Sequence, residues 1–162
     1  MDIARFRMLD RVDRLDLLSR SIECEATVPE TSTIFEGHFP GFEVFPGALQ
    51  IETIAQAAGL LVLRLEDDQR VPLLSGIDRV RFRSFVEPGS VLRITARLIA
   101  HGSGYAICGG EAASRKGTTA SADVRFRVMA FPSPTMRDNV LSVSRGLCRD
   151  AVGDRGQGGV QR

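Results

Sequence analysis

The segment from residue 47 to residue 64 constrains the fold most, because apolar side chains surround a stretch of helix-forming composition. Its apolar members are Ala48, Leu49, Ile51, Ile54, Ala55, Ala57, Ala58, Leu60, Leu61, Val62 and Leu63. Its polar members before Arg64 are Gln50, Glu52, Thr53 and Gln56. A helix that is hydrophobic on every side is normally buried in a core. We therefore expect a central helix and no membrane span, since a span needs about 20 predominantly apolar residues.

The stretch before this helix is predicted to be an irregular loop. The residues that interrupt regular structure are Gly37, Pro40, Gly41, Pro46 and Gly47. The residue before each proline is pushed away from the helical region, so His38 lies in a shaped loop. Pro46 falls at or just before the first helical turn, where its missing N–H costs nothing. The helix is therefore predicted to begin at Gly47.

Three groups near this loop could act together in proton-transfer chemistry. Glu52 lies inside the apolar helix, and burial disfavours the ionised carboxylate, so we expect a protonated acid that can donate a proton. Gln56, one turn along, could hold that carboxyl by a hydrogen bond. His38 can accept a proton, and the Gly47 N–H at the positive end of the helix dipole suits an oxygen gaining negative charge. Each residue alone is more often structural, but the combination favours an active site.

Segments that alternate apolar and polar residues predict an antiparallel sheet around this helix. The predicted strands are 22–28, 71–85, 92–100, 105–113 and 121–128, joined by turn sequences rich in Gly and Pro. One long central helix and a run of antiparallel strands make an α+β fold. Residues 6–20 are predicted to be a short, partly helical entry segment. The domain is predicted to span 1–136, followed by a disordered tail over 137–162 that contributes nothing to the site.

Composition narrows the class of protein. The chain has 162 residues, of which 43% are hydrophobic and 25% charged, and this fits one soluble domain. A net charge of +1 argues against nucleic-acid binding driven by bulk charge. The three cysteines are widely spaced and have no metal-ligand spacing, which favours reduced thiols in a cytoplasmic protein. The first residues lack an uninterrupted apolar run, so we expect neither a signal peptide nor a membrane anchor.

The segment GHFPGFEVFPGALQIETIAQAAG resembles the signature of the hot-dog-fold 3-hydroxyacyl-acyl-carrier-protein dehydratases of the FabZ type. The matching residues are Gly37, His38, Phe39, Pro40, Gly41, Val44, Pro46, Gly47, Leu49, Glu52, Ala55 and Gln56. The resemblance extends downstream through LLSGIDRVRFRSFVEPGSVLRI and covers about residues 6–130. Glu43 and Phe45 stand where the family usually has proline and methionine. The resemblance implies a hot-dog fold, an antiparallel sheet wrapped around one helix.

The resemblance also implies roles for individual residues. His38 would be the catalytic base and Glu52 the acid, with the two contributed by opposite subunits of a homodimer that could assemble further into a trimer of dimers. The Gly47 N–H would bind the thioester carbonyl, the Val44 carbonyl would orient the imidazole, and Gln56 would steady the carboxyl. The loop and substrate tunnel would be formed by Phe39, Pro40, Gly41, Phe45 and Pro46. The related dehydratase-isomerases of the FabA type carry Asp where this chain has Glu52, so dehydration without isomerisation is expected.

The expected substrate is a (3R)-hydroxyacyl thioester carried on the phosphopantetheine arm of an acyl carrier protein. Neither a metal nor a redox cofactor is expected, because the elimination transfers no electrons. The row Arg79, Arg81 and Arg83 is either a solvated strand face or a rim that attracts the acidic carrier protein. The residues leave three alternatives open: a coenzyme A thioester as substrate, a hot-dog thioesterase, and a non-catalytic hot-dog subunit that binds acyl chains or a partner.

Overall fold

The computed structural model of the chain describes residues 1–39 and 41–148. In order, its elements are a 3₁₀ turn at Ile3–Arg5, strand β1 at Arg11–Asp16, β2 at Ser21–Thr27, helix α1 at Thr33–Gly37, α2 at Gly47–Leu65, β3 at Arg70–Phe82, β4 at Val91–Gly102, β5 at Tyr105–Ser114, β6 at Gly117–Ala130 and α3 at Pro134–Leu147. The predicted start of the central helix at Gly47 and the five predicted strands are confirmed. Each strand end lies within four residues of the predicted one.

The six strands form one antiparallel sheet in the order β1-β2-β4-β5-β6-β3, and α2 packs against its inner face. A small residue on β5 lets the helix lie close to the sheet. A Cβ built on Gly110 would clash with the Ile54 side chain of α2. Gly109, in contrast, faces outward, where a Cβ would meet Ile99. The expected hot-dog arrangement is confirmed.

Side chains alternate between the two faces of the sheet. On β2, Ile22, Cys24 and Ala26 are buried towards α2, while the residues between them are partly exposed. The outer face of the sheet carries charged and polar residues that no helix of the described chain covers. β1 and β3 are the edge strands, and β3 presents exposed apolar side chains along its length.

Two stretches differ from the sequence-based expectations. The predicted partly helical entry segment contains strand β1, because Val12 packs into the core while its neighbours pair with β2. The tail predicted to be disordered from residue 137 instead continues α3 up to Leu147, so that prediction is wrong for this stretch. Ser133 caps the helix by accepting a hydrogen bond from Met136 N at 3.2 Å, and Leu141 is buried. The rest of the predicted tail, 149–162, lies outside the described residues.

By length and composition α2 could cross a membrane, so the sequence argument that it is too short is wrong. Its surroundings distinguish it from a membrane-spanning helix, because 61% of its most apolar stretch is buried by the rest of this chain. A mostly buried apolar helix is what the core of this fold requires.

Candidate active site

The loop before α2 holds His38 in a defined orientation. His38 follows the short helix α1, and its Nδ1 lies 3.2 Å from the carbonyl oxygen of Val44. A carbonyl can only accept, so Nδ1 carries a proton and the Nε2 position faces away from Val44, where its lone pair can act as a base. Phe39, next in sequence, has a left-handed φ of 58°. Its ring packs edge-on against the imidazole, with 4.5 Å between the two ring centroids. The loop therefore presents a basic nitrogen away from Val44.

The second half of the loop is anchored in the core. Val44 and Phe45 are each 2% exposed, and Phe45 N donates a hydrogen bond of 2.7 Å to the carbonyl of Val86. Phe45 thus supports the loop from the core and is not among the residues lining the large apolar cavity described below. Gly41 has a φ of 81°, which favours glycine, whereas Pro40 lies outside the described residues.

Gly47 begins α2 immediately after Pro46. Its N–H therefore belongs to the first turn of the helix, whose N–H groups have no acceptor within the helix. A Cβ at Gly47 would lie 2.7 Å from Cε1 of Phe82, so a side chain here would meet the ring. Phe82 is a neighbour that sequence analysis missed, because it comes from the end of β3. The absence of a side chain at Gly47 therefore lets the Phe82 ring lie against the start of α2.

Gln56 connects Glu52 to the N-terminal segment. Its Nε2 donates to Glu52 Oε1 and to the Phe6 carbonyl, each at 2.9 Å. Its Oε1 accepts a hydrogen bond from Met8 N, also at 2.9 Å. Both amide donors and the acceptor are thus used, which fixes the orientation of the amide and, through it, of the Glu52 carboxyl. The contacts with Phe6 and Met8 join residues nearly fifty positions apart and could not be predicted from helix spacing.

The expectation that Glu52 is buried is not met in the single chain. Glu52 is partly exposed and lines a cavity of about 780 Å³ that runs between α2, β3 and α3. The walls of this cavity are predominantly apolar, with Leu60, Leu63 and Phe126 among them. A carboxyl at the edge of an apolar cavity of this size is a common arrangement for binding a small molecule.

His38 is not among the described residues that line this cavity. The histidine is held by the loop before α2, whereas Glu52 faces the cavity one turn into the helix. Within the described part of one chain, the predicted base and the predicted acid therefore do not share a pocket.

The predicted arginine row lies on the other side of the sheet. Arg79, Arg81 and Arg83 line a cleft of about 540 Å³ on the outer face, and Arg79 forms an ion pair with Asp123 of β6. Asp123 alternates with inward-facing residues of β6, so the cleft and α2 are separated by the sheet. The row is thus remote from the Glu52 cavity, and its role as a carrier-protein patch stays a prediction.

The three cysteines are buried and free. Burial raises the pKa of the Cys24 and Cys108 thiols to about 12, so both stay protonated at neutral pH. In residues 1–39 and 41–148, no group of three or more His, Cys, Asp or Glu side chains is arranged to hold a metal ion.

Comparison with known proteins identifies the family. The model of the ApeI-like family, described as ApeI dehydratase, matches residues 16–132. The 3-hydroxyacyl-[acyl-carrier-protein] dehydratase FabZ of Levilactobacillus brevis is 37% identical over 123 residues, which cover 75% of this chain and 82% of that protein. The FabZ of Chlamydia trachomatis serovar L2 is 38% identical over 94 residues, 56% of this chain. The match spans 61% of the length of that relative.

Solved structures share the fold. The dehydratase heterocomplex ApeI:P from Xenorhabdus doucetiae has a TM-score of 0.59 and 20% identity, over 83% of this chain and 88% of that one. A hypothetical thioesterase from Streptococcus pneumoniae, solved with coenzyme A, has a TM-score of 0.62 and 13% identity, over 82% and 94%. The fold defines the class of the protein, which is a hot-dog protein. The family match is more specific: the chain belongs to the ApeI-like, FabZ-type family of hot-dog dehydratases.

Proposed function

We propose that the protein removes water from a (3R)-hydroxyacyl thioester to give the trans-2-enoyl thioester. The observation that carries the proposal is the pair of fixed side chains: His38 oriented by Val44, and Glu52 oriented by Gln56. Family membership supports dehydration, since the matched relatives are named as dehydratases.

The proposed elimination balances with these groups alone. Nε2 of His38 takes the proton from the carbon next to the thioester carbonyl, and the electron pair left behind forms the new double bond. The Gly47 N–H stabilises the negative charge that develops on the thioester oxygen. Protonated Glu52 gives its proton to the hydroxyl, which leaves as water. The step leaves His38 protonated and Glu52 ionised, and transfer of one proton from His38 to Glu52, directly or through solvent, restores both groups. The elimination involves no net oxidation or reduction, so it consumes no redox cofactor.

A site shared between two subunits accounts for the separation of His38 from the Glu52 cavity. The edge strand β3 and the loops near it expose apolar side chains that a second copy of the chain could cover. These are Phe39, Phe42, Leu73, Leu74, Ile77, Val80, Phe82 and Phe85. Burial of this surface in a homodimer would bring the loop of one subunit to the cavity of the other. It would also remove Glu52 from water, which the proposed acid requires.

Acyl carrier protein is the proposed carrier of the substrate. The support is the FabZ relatives, whose names refer to acyl-carrier-protein-linked substrates. The arginine cleft with Arg79, Arg81 and Arg83 is a candidate contact for an acidic partner. Its position on the outer face of the sheet means that the carrier would have to reach the site around the β3 edge. Coenzyme A thioesters present the same reacting atoms and are the alternative carrier.

The reverse reaction gives a direct test of the proposed function. A trans-2-enoyl thioester is supplied, and its conjugated absorbance is followed while free thiol is measured in parallel. The proposal expects the absorbance to fall without thiol release, and it expects His38→Ala to abolish the change. Folded wild-type protein that leaves the absorbance unchanged, or a folded His38→Ala variant that keeps wild-type activity, would contradict the proposal.

A thioesterase activity is the second candidate, favoured by the names of solved structures such as the Streptococcus pneumoniae protein with the same fold. Thiol release in the same assay would identify it. If neither signal appeared, a non-catalytic acyl-binding subunit would be the better explanation.

A further inference from the structure

Helix α3 forms one wall of the cavity that begins at Glu52. Met136, Val140, Val143 and Leu147 recur at helical spacing and all line the cavity. On the facing wall, the α2 residues that line it run from Glu52 to Leu63. At 1.5 Å per residue this stretch of helix is about 16 Å long. The cavity is thus an elongated apolar space with a carboxyl at one end of the α2 wall.

The attachment of α3 to α2 identifies the end of the cavity that lies far from Glu52. Arg64, in the last turn of α2, donates from Nη2 to the buried Ser144 Oγ at 2.5 Å and pairs with Asp68. Val143, adjacent to Ser144, therefore lies beside the C-terminal end of α2. Twelve residues separate Glu52 from Arg64, which is about 18 Å of helix.

We propose that α3, through Val143, limits the length of the acyl tail that this cavity accepts. The inference rests on the proposed function, because it places the thioester at Glu52. A thioester whose reacting carbons lie at Glu52 would direct an apolar tail along Ala55, Gly59 and Leu63 towards α3.

The dimensions fit a medium to long tail. In an extended peptide, three backbone bonds span about 3.6 Å, which is about 1.2 Å per bond, and an extended hydrocarbon chain has a similar rise per bond. A tail of roughly a dozen carbons would therefore cover most of the about 16 Å of α2 that lines the cavity. Four apolar side chains of α3 outnumber the two polar residues on this wall, Asn139 and Ser144, and Ser144 Oγ already accepts a hydrogen bond from Arg64. A hydrocarbon tail therefore fits most of this wall better than a polar one. A short tail would end near Glu52 and would not reach Val143.

A matched pair of tryptophan substitutions on α3 tests the proposal. Val143 is 52% exposed, so it can accept a larger side chain, and Val143→Trp adds bulk at the far end of the cavity. Ser142 is exposed and is not among the residues lining the cavity, so Ser142→Trp is the control. Each variant is assayed for water addition to trans-2-butenoyl and trans-2-dodecenoyl thioesters. Binding is measured with dodecanoyl-pantetheine, which is saturated and cannot add water. Val143→Met, a smaller change, replaces the tryptophan variant if that variant does not fold.

For Val143→Trp we expect kcat/KM for the trans-2-dodecenoyl thioester and the affinity for dodecanoyl-pantetheine each to fall tenfold or more. Turnover of the trans-2-butenoyl thioester should stay within about twofold of the Ser142→Trp control. Equal dodecanoyl binding by the two tryptophan variants would overturn the proposal. If wild type turns over neither substrate, the proposed function fails on its own, and the binding comparison still supports or overturns the acyl cavity.

Discussion

Gln56 gives a sharp test of how the proposed acid is held. Replacing it with alanine removes three hydrogen bonds, to Glu52 Oε1, the Phe6 carbonyl and Met8 N. A typical intramolecular hydrogen bond contributes about 1 kcal/mol net, so we expect Gln56→Ala to lower the free energy of unfolding by about 3 kcal/mol. Glu52 also loses its orienting partner. A small misplacement of a reacting group can cost about 100-fold, so kcat should fall by about 10- to 100-fold.

Urea unfolding and enoyl-thioester hydration measure these two effects on the same preparation. Gln69→Ala is the matched control, because Gln69 is exposed and its side chain makes one local bond of 3.1 Å, to the Asp67 carbonyl. That variant should stay within about 0.5 kcal/mol of wild type and keep its activity. If Gln56→Ala were as stable and as active as Gln69→Ala, the amide would not hold the carboxyl, and the reasoning would be refuted.

Two further predictions concern Gly47 and the buried thiols. Gly47→Ala should lower kcat, because the added methyl group meets the Phe82 ring. The double variant Gly47→Ala with Phe82→Ala should recover part of the lost activity. If it recovers none, this contact is not the cause of the loss. Cys108 has a folded pKa of about 12, against 9.0 for an ordinary thiol. Its stabilisation is complete below pH 9 and is lost as pH rises from 9 to 12. Between pH 8 and pH 10, the unfolding free energy of wild type should therefore fall by about 1.4 kcal/mol more than that of Cys108→Ala, as measured by urea unfolding. An equal fall in the two proteins would contradict this prediction.

The central helix and the sheet could be predicted because their signals are local. An apolar run after Pro46 and strict alternation along β2 each indicate one structure with one buried face. Helix α3 carries local signals too, although the prediction places most of its residues in the tail from residue 137 onward. Pro134 is in fact the first helical residue, after the capping Ser133, where proline is favoured.

The site could be predicted only in part, because half of its geometry depends on distant chain segments. The Glu52–Gln56 contact follows from helix spacing, whereas the bonds from Gln56 to Phe6 and Met8 depend on how the N-terminal segment packs. The exposure of Glu52 was mispredicted because apolar neighbours on its own helix do not ensure that other elements cover it. In the proposed dimer, that cover comes from a second chain.

The most direct measurement of the central claim, an elimination site shared by His38 of one subunit and Glu52 of another, is recovery of activity on mixing two inactive variants. His38→Ala and Glu52→Gln should each be nearly inactive alone. After subunit exchange at equal amounts, half of the dimers combine one of each and contain one intact site, so about a quarter of wild-type activity should return. A mixture that stays inactive, under conditions where tagged wild-type subunits exchange freely, would contradict the shared site.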